Sequence, residues 1–192
     1  MHLVAPLGAC LVLGAALLSC ASARSATGDR LLVLVPTVEA AASYSDLLGS
    51  LAQRGFDVSV RAATNTSVAL HVDGRRQYDH AALLAPAAKR LGAGLTAQSF
   101  VRFVEDGGNL LVAGSSDMSD LGRKLAAQFG VDFEKHGTRA VDHSHHLAPS
   151  DHSVVAASRL AAVPAVLSPQ LLEGSAVVYF KGVGHRYDAS NP

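Results

Sequence analysis

Five consecutive aliphatic residues, Leu31-Leu32-Val33-Leu34-Val35, end abruptly at Pro36. A run this short, closed by a residue that cannot donate a backbone hydrogen bond, reads as a strand buried on both faces, as in a parallel sheet. From Glu39 to Arg54 the apolar residues Ala40, Tyr44, Leu47, Leu48 and Leu51 recur at helical spacing, and Gly55 stands where a helix ends on a left-handed residue. Phe56 to Val60 then alternates as a second strand. Strand, helix and strand within about 30 residues make a β-α-β unit, whose strands run parallel.

The rhythm continues. Val68-Ala69-Leu70 reads as a short strand or turn, and Ala81 to Ala85, ended by Pro86, as a strand. A loop with Gly92 and Gly94 leads to a helix from Thr96 to Glu105, with Thr96 as its N-cap. Asn109 to Ala113 is the next strand, and Ser116 or Asp117 is expected to cap a helix running to Phe129, before Gly130. Val131 to Phe133 is expected to be extended, with Asp132 and Glu134 facing solvent. This alternation predicts an α/β fold with a largely parallel sheet. Beyond about residue 135 the helical spacing fades, and Ser153–Ala156 and Ala176–Phe180 read as strands on either side of Pro164 and Pro169. The expected organisation is a leader over residues 1–23, an α/β domain over 24–150, and an extended β segment over 151–192.

The leader contains no Lys, Arg, Asp or Glu before Arg24. Leu7 to Leu18 form an apolar core too short to span a bilayer, and Ala21-Ser22-Ala23 fits a small-residue cleavage site. These features predict a secretory signal peptide, although only the terminal amine and His2 supply its basic end. A bacterial lipoprotein signal at Cys20 and a buried N-terminal helix are the competing readings. Both cysteines, Cys10 and Cys20, lie in this leader, so the rest of the chain has no disulfide, thiol nucleophile or thiolate metal site. Asn65-Thr66-Ser67 is an N-glycosylation sequon, usable if the chain enters the secretory lumen. The 16 basic and 16 acidic residues cancel and are interspersed, with no basic stripe to suggest nucleic-acid binding.

Three constellations could carry chemistry. Gly114-Ser115-Ser116-Asp117 lies at a strand-to-helix junction, where α/β folds place their sites. A nucleophilic Ser115 or Ser116 would make the chain a secreted hydrolase-like or amidotransferase-like enzyme. Met118 breaks the G-x-S-x-G elbow, however, and Ser and Asp are also the usual helix caps. Asp142-His143-Ser144-His145-His146, with His136 and His152 nearby, could bind zinc, with His143, His145 and His146 as ligands. The spacing matches no helical zinc motif and fits an exposed polar loop equally well. No Gly-rich phosphate loop follows the first strand, where the residues are Pro36-Thr37-Val38-Glu39. Gly182-Val183-Gly184 reads as a turn or bulge. The residues therefore nominate no catalytic group and no cofactor.

Leu31 to Val35, Gln53-Arg54-Gly55-Phe56, the long block from Phe103 through Glu105-Asp106-Gly107-Gly108 to Asp117, Gly130 to Phe133, Ala140 to His143, and Lys181 to Gly184 form a collinear set of blocks. Together they resemble the DDOST family, the non-catalytic subunit of the endoplasmic reticulum oligosaccharyltransferase. The resemblance runs in order from about residue 28 to the C-terminus. It implies a flavodoxin-like or glutamine-amidotransferase-like sheet with helices on both faces, without the catalytic residues of that fold. It implies a lumenal location in the endoplasmic reticulum and the other oligosaccharyltransferase subunits, including the catalytic one, as partners. The implied role is support of glycan transfer from dolichyl diphosphate to Asn in N-x-S/T sequons. The family continues into a second lumenal β-rich domain and a C-terminal membrane helix. Residues 151–192 are therefore expected to lead toward a missing domain, and the chain to be a truncated product, an isoform or a fragment.

Overall fold

The computed structural model describes residues 25–148, 151–158, 177–188 and 190. The leader with its two cysteines, Ala176, Pro164 and Pro169 lie outside the described residues. Strands β1 (Arg30–Val35), β2 (Asp57–Ala62), β5 (His80–Leu83) and β6 (Asn109–Val112) form one sheet in the order β2-β1-β5-β6, and all neighbours are parallel. Between β2 and β5 the chain makes a small antiparallel hairpin, β3 (His71–Val72) and β4 (Arg75–Arg76), which the sequence had not signalled. With that excursion set aside, the strand order is that of a doubly wound, flavodoxin-like sheet.

The continuous apolar run of β1 is explained by its central place. Leu32 and Leu34 enter one core with Leu70, Ala81, Leu83, Phe100, Phe103 and Leu125. Leu31, Val33 and Val35 enter a second core on the opposite face, against Tyr44, Leu48, Leu51 and Phe56. Successive strand residues point to opposite faces, so a strand covered on both sides can carry no polar position. All five are at most 6% exposed. Helix α1 (Ser45–Gln53) covers the second face, while α2 (Ala97–Glu105) and α3 (Asp120–Ala127) supply Phe100, Phe103 and Leu125 to the first. The expected α/β architecture with helices on both faces is what the chain adopts.

Two boundaries differ from the sequence reading, each for a packing reason. The helix expected over 39–54 is split into a 3-10 stretch, Val38–Tyr44, and α1. Tyr44 sits at the break with φ −113° and ψ 17°, its ring in the second core and its hydroxyl donating to the Leu84 carbonyl at 3.2 Å. Gly55 ends α1 as expected, at φ +91°. The α3 cap is Ser119, not Ser116 or Asp117: its hydroxyl accepts from the Gly122 amide at 3.2 Å. Met118, 1% exposed, decides this, because a turn closed by its amide on Ser115 O (3.1 Å) drops its side chain into the interior before the helix can begin. Helix α2 starts where expected, with Thr96 and Ser99 capping each other's backbone amides.

The remaining strands are antiparallel. β8 (His146–Ala148), β9 (Asp151–Ala157) and β10 (Val178–Phe180) form a sheet in the order β10-β9-β8, and β7 (Val131–Phe133) pairs with β11 (His185–Tyr187). Asp132 and Glu134 are exposed, as the alternation predicts. The segment Gly182–Gly184 connects β10 to β11, and Val183 is buried there.

Among the described residues, Asp79, at the amino end of the parallel sheet, is the charged residue that is buried. Arg30 grips it with Nε on Oδ2 (3.0 Å) and Nη2 on Oδ1 (2.8 Å), and the Arg30 amide adds a third bond at 3.2 Å. The hydrogen-bonded guanidinium holds the Asp79 carboxyl at a pKa of about 2, against the opposing effect of burial. A depressed carboxylate contributes stability that is complete above its unfolded pKa, near 4, and is lost as the pH falls through its folded value. The full shift corresponds to roughly 2.5 kcal/mol, and the half-open Arg30 side chain reduces the expected effect to about 1–2 kcal/mol. Urea melts of the wild type should therefore weaken by that amount between about pH 4 and pH 2. In Asp79→Asn that limb should flatten, and an unchanged limb would show that Asp79 does not carry it.

Candidate functional site

Because the four strands are parallel, the loops that follow them gather at one end of the sheet. These are the segments beginning at Pro36, Ala63, Leu84 and Ala113. The chain reverses its direction of travel across the sheet between β1 and β5, and in open α/β sheets a ligand crevice forms outside the strands at that point. Here Tyr44 closes on Leu84 just beyond β5. The open cleft lies to one side, with a volume of about 670 Å³, among Ala87, Lys89, Asp117, Ser119, Leu121 and His136. It draws on the loops after β5, β6 and β7 and on the first turn of α3, so no contiguous motif could have announced it. A second hollow, about 440 Å³, is mostly apolar and runs along β6 between Val104, Leu110, Val112, Phe129, Val131 and Phe133.

The serines do not form a nucleophile–base pair. Ser116 Oγ lies 3.4 Å from its neighbour Asp117 Oδ1, and among the described residues neither Ser115 nor Ser116 hydrogen-bonds a histidine. Ser119, the hydroxyl lining the cleft, is already committed: it donates to Ala88 O at 2.7 Å and accepts from Gly122 N. His136 is brought beside Asp117 by the adjoining Gly137, whose amide donates to Ser116 O at 2.7 Å.

The histidine-rich segment is part turn and part strand, since His146 opens β8. His143 Nδ1 and His152 Nδ1 are 2.7 Å apart, and the His146 ring stacks on His152 at 4.2 Å between centroids. His145 turns away toward Asp142, at 3.4 Å. The amides of His145 and Ser144 hold the Asp142 carboxyl below its usual range. The candidate trio of His143, His145 and His146 is thus divided between two different partners. Among the described residues no three His, Cys, Asp or Glu side chains are arranged to hold a metal. No helix among them is long and apolar enough to cross a membrane.

Residues 22–192 match the family model described as OST48, N-terminal domain. The chain belongs to this family. Its OST48 relatives include the 48 kDa subunit of dolichyl-diphosphooligosaccharide–protein glycosyltransferase of Caenorhabditis elegans, 34% identical over 81% of this chain. The subunits of the same name from Danio rerio and Arabidopsis thaliana are each 32% identical over 86% of it. The matched region spans 36% to 38% of the length of these relatives. The OST48 match takes in the parallel sheet, the cleft and the antiparallel strands alike, and it begins within the small-residue segment read as a cleavage site.

Proposed function

We propose that this chain is a lumenal, non-catalytic part of an endoplasmic reticulum oligosaccharyltransferase subunit. In this reading it supports transfer of a preassembled glycan from dolichyl diphosphate to Asn in N-x-S/T sequons, and catalysis resides in another subunit. The observation that carries the reading is the OST48 match across residues 22–192, together with the subunit name borne by relatives from animals and a plant. Two structural facts support it. The end of the sheet where a doubly wound fold takes its ligand has Tyr44 closed on Leu84, and the hydroxyl lining the neighbouring cleft serves as a helix cap. The apolar leader supplies the route into the lumen.

The test is recovery of the complex. The full chain, expressed with its own leader and a C-terminal tag, should enrich the other oligosaccharyltransferase subunits, the catalytic one included, from mildly solubilised microsomes. Mass spectrometry of the eluate reads the result against a tagged, unrelated lumenal protein. Enrichment no greater than in that control would defeat the proposal.

A further inference from the structure

We infer that Asn65 is a built and accessible glycan acceptor, carrying an N-linked oligosaccharide at the carboxyl end of the parallel sheet. The inference rests on the lumenal reading above, since the donor, a lipid-linked diphosphate oligosaccharide, is met only there.

The sequon is firmly supported from below. Ala63 and Val68, at 0% and 4% exposure, anchor the loop at both ends, while Thr66 and Ser67 are exposed between them. The Asn65 amide donates to Ala62 O at 3.0 Å, and the Gly92 amide donates to Ala63 O at 2.8 Å. Within this frame the acceptor is already folded into an Asx turn. Asn65 Oδ1 accepts from the Ser67 amide at 2.8 Å and from the Ser67 hydroxyl at 2.7 Å. Both bonds fall on the oxygen. Asn65 Nδ2, the atom that takes the sugar, makes no hydrogen bond among the described residues. Asn65 is half-buried, and Nδ2 is not one of the fully buried, unpartnered polar atoms of the described residues.

The chemistry then has its parts in place. The bond between Nδ2 and the sugar C1 forms, the C1–O bond to the diphosphate breaks, Nδ2 loses one proton, and the lipid diphosphate leaves with the electron pair. The hydroxyl that the N-x-S/T pattern requires stands two residues on, and in the native fold it lies against the Asn65 carboxamide. The loop follows β2, so the glycan stands at the same end of the sheet as the cleft and keeps that end turned to solvent.

The experiment separates this inference from the lumenal reading beneath it. The full chain with its own leader is expressed in cultured animal cells and digested with peptide N-glycosidase F. The undigested protein should run one glycan step higher than the digested form. Asn65→Gln and Ser67→Ala should each abolish that step, and Ser67→Thr should retain it. A reporter acceptor is added at the β3–β4 turn by Asp73→Asn with Arg75→Thr, where residues 73 to 75 are exposed and Asp73 already adopts φ +50°. Two steps in this reporter chain, one of them removed by Asn65→Gln, support the inference. One step that survives Asn65→Gln shows that the chain is lumenal and Asn65 unoccupied, which overturns the inference alone. No step in any version overturns the inference and the lumenal reading together.

Discussion

Phe103→Ala is expected to lower the unfolding free energy by about 3–5 kcal/mol, the range for truncating a fully buried aromatic. Phe103 is 0% exposed and lies between α2 and the parallel sheet, in the core that also holds Phe100, Leu34 and Leu83. Its ring also fills the space above Gly108, where a β-carbon would come within 2.5 Å of it, and meets the His71 ring edge-on at 6.4 Å. The helix, the turn that follows it and the β3–β4 hairpin therefore share one anchor. For a domain of this size the melting temperature should fall by roughly 10 °C. Leu111→Ala, at a side chain 57% exposed on the edge strand β6, should change it far less. Thermal melts followed by circular dichroism would decide the matter, and equal shifts for the two variants would mean that the core is wrongly assigned.

Gly92→Ala is expected to cost about 3 kcal/mol, the upper part of the range for overpacking. A β-carbon there would lie 1.9 Å from the Asn65 carbonyl oxygen and 2.8 Å from its carbon, and neither is a side-chain atom that can swing aside. One of the two loops would have to move, at the expense of the bond from the Gly92 amide to Ala63 O. The same substitution at Gly49, inside α1 with nothing within 4 Å of the new carbon, should instead stabilise by about 0.5–1 kcal/mol. Denaturant melts of the two variants should move in opposite directions. A Gly92→Ala protein as stable as the wild type would show that the approach of the two loops is looser than described.

The parallel sheet was legible because its evidence is local and redundant. Leu31 to Val35 can be explained by little else, and Gly55 and Thr96 mark helix ends by mechanisms that act within one turn. What escaped reading depends on distant partners. Ser116, Asp117 and Ser119 are equally good caps in isolation, and the choice falls to Ser119 because Met118 is buried just before it and Pro86 O and Ala88 O take its amide and hydroxyl. The break at Tyr44 likewise follows from a carbonyl forty residues away in β5's loop. The histidine cluster could be seen as composition but not as geometry, since His143 is turned to His152 across the β8–β9 strands while His145 is turned to Asp142. The cleft was hidden for the same reason, as its walls come from three separate loops and the first turn of α3.

The central position of β1 has a consequence in time as well as in space. Leu31 pairs with Val58 on one side and with His80 on the other, so the second partner is made 49 residues after β1 itself (80 − 31). At translation rates of about 5–20 residues per second, that interval lasts roughly 2–10 s. Throughout it, this apolar run has at least one unpaired edge, the kind of segment that pairs with any strand within reach. The same burial that makes β1 the keel of the finished domain makes it the most vulnerable stretch of the nascent one. That open edge closes only with the arrival of His80 to Leu83.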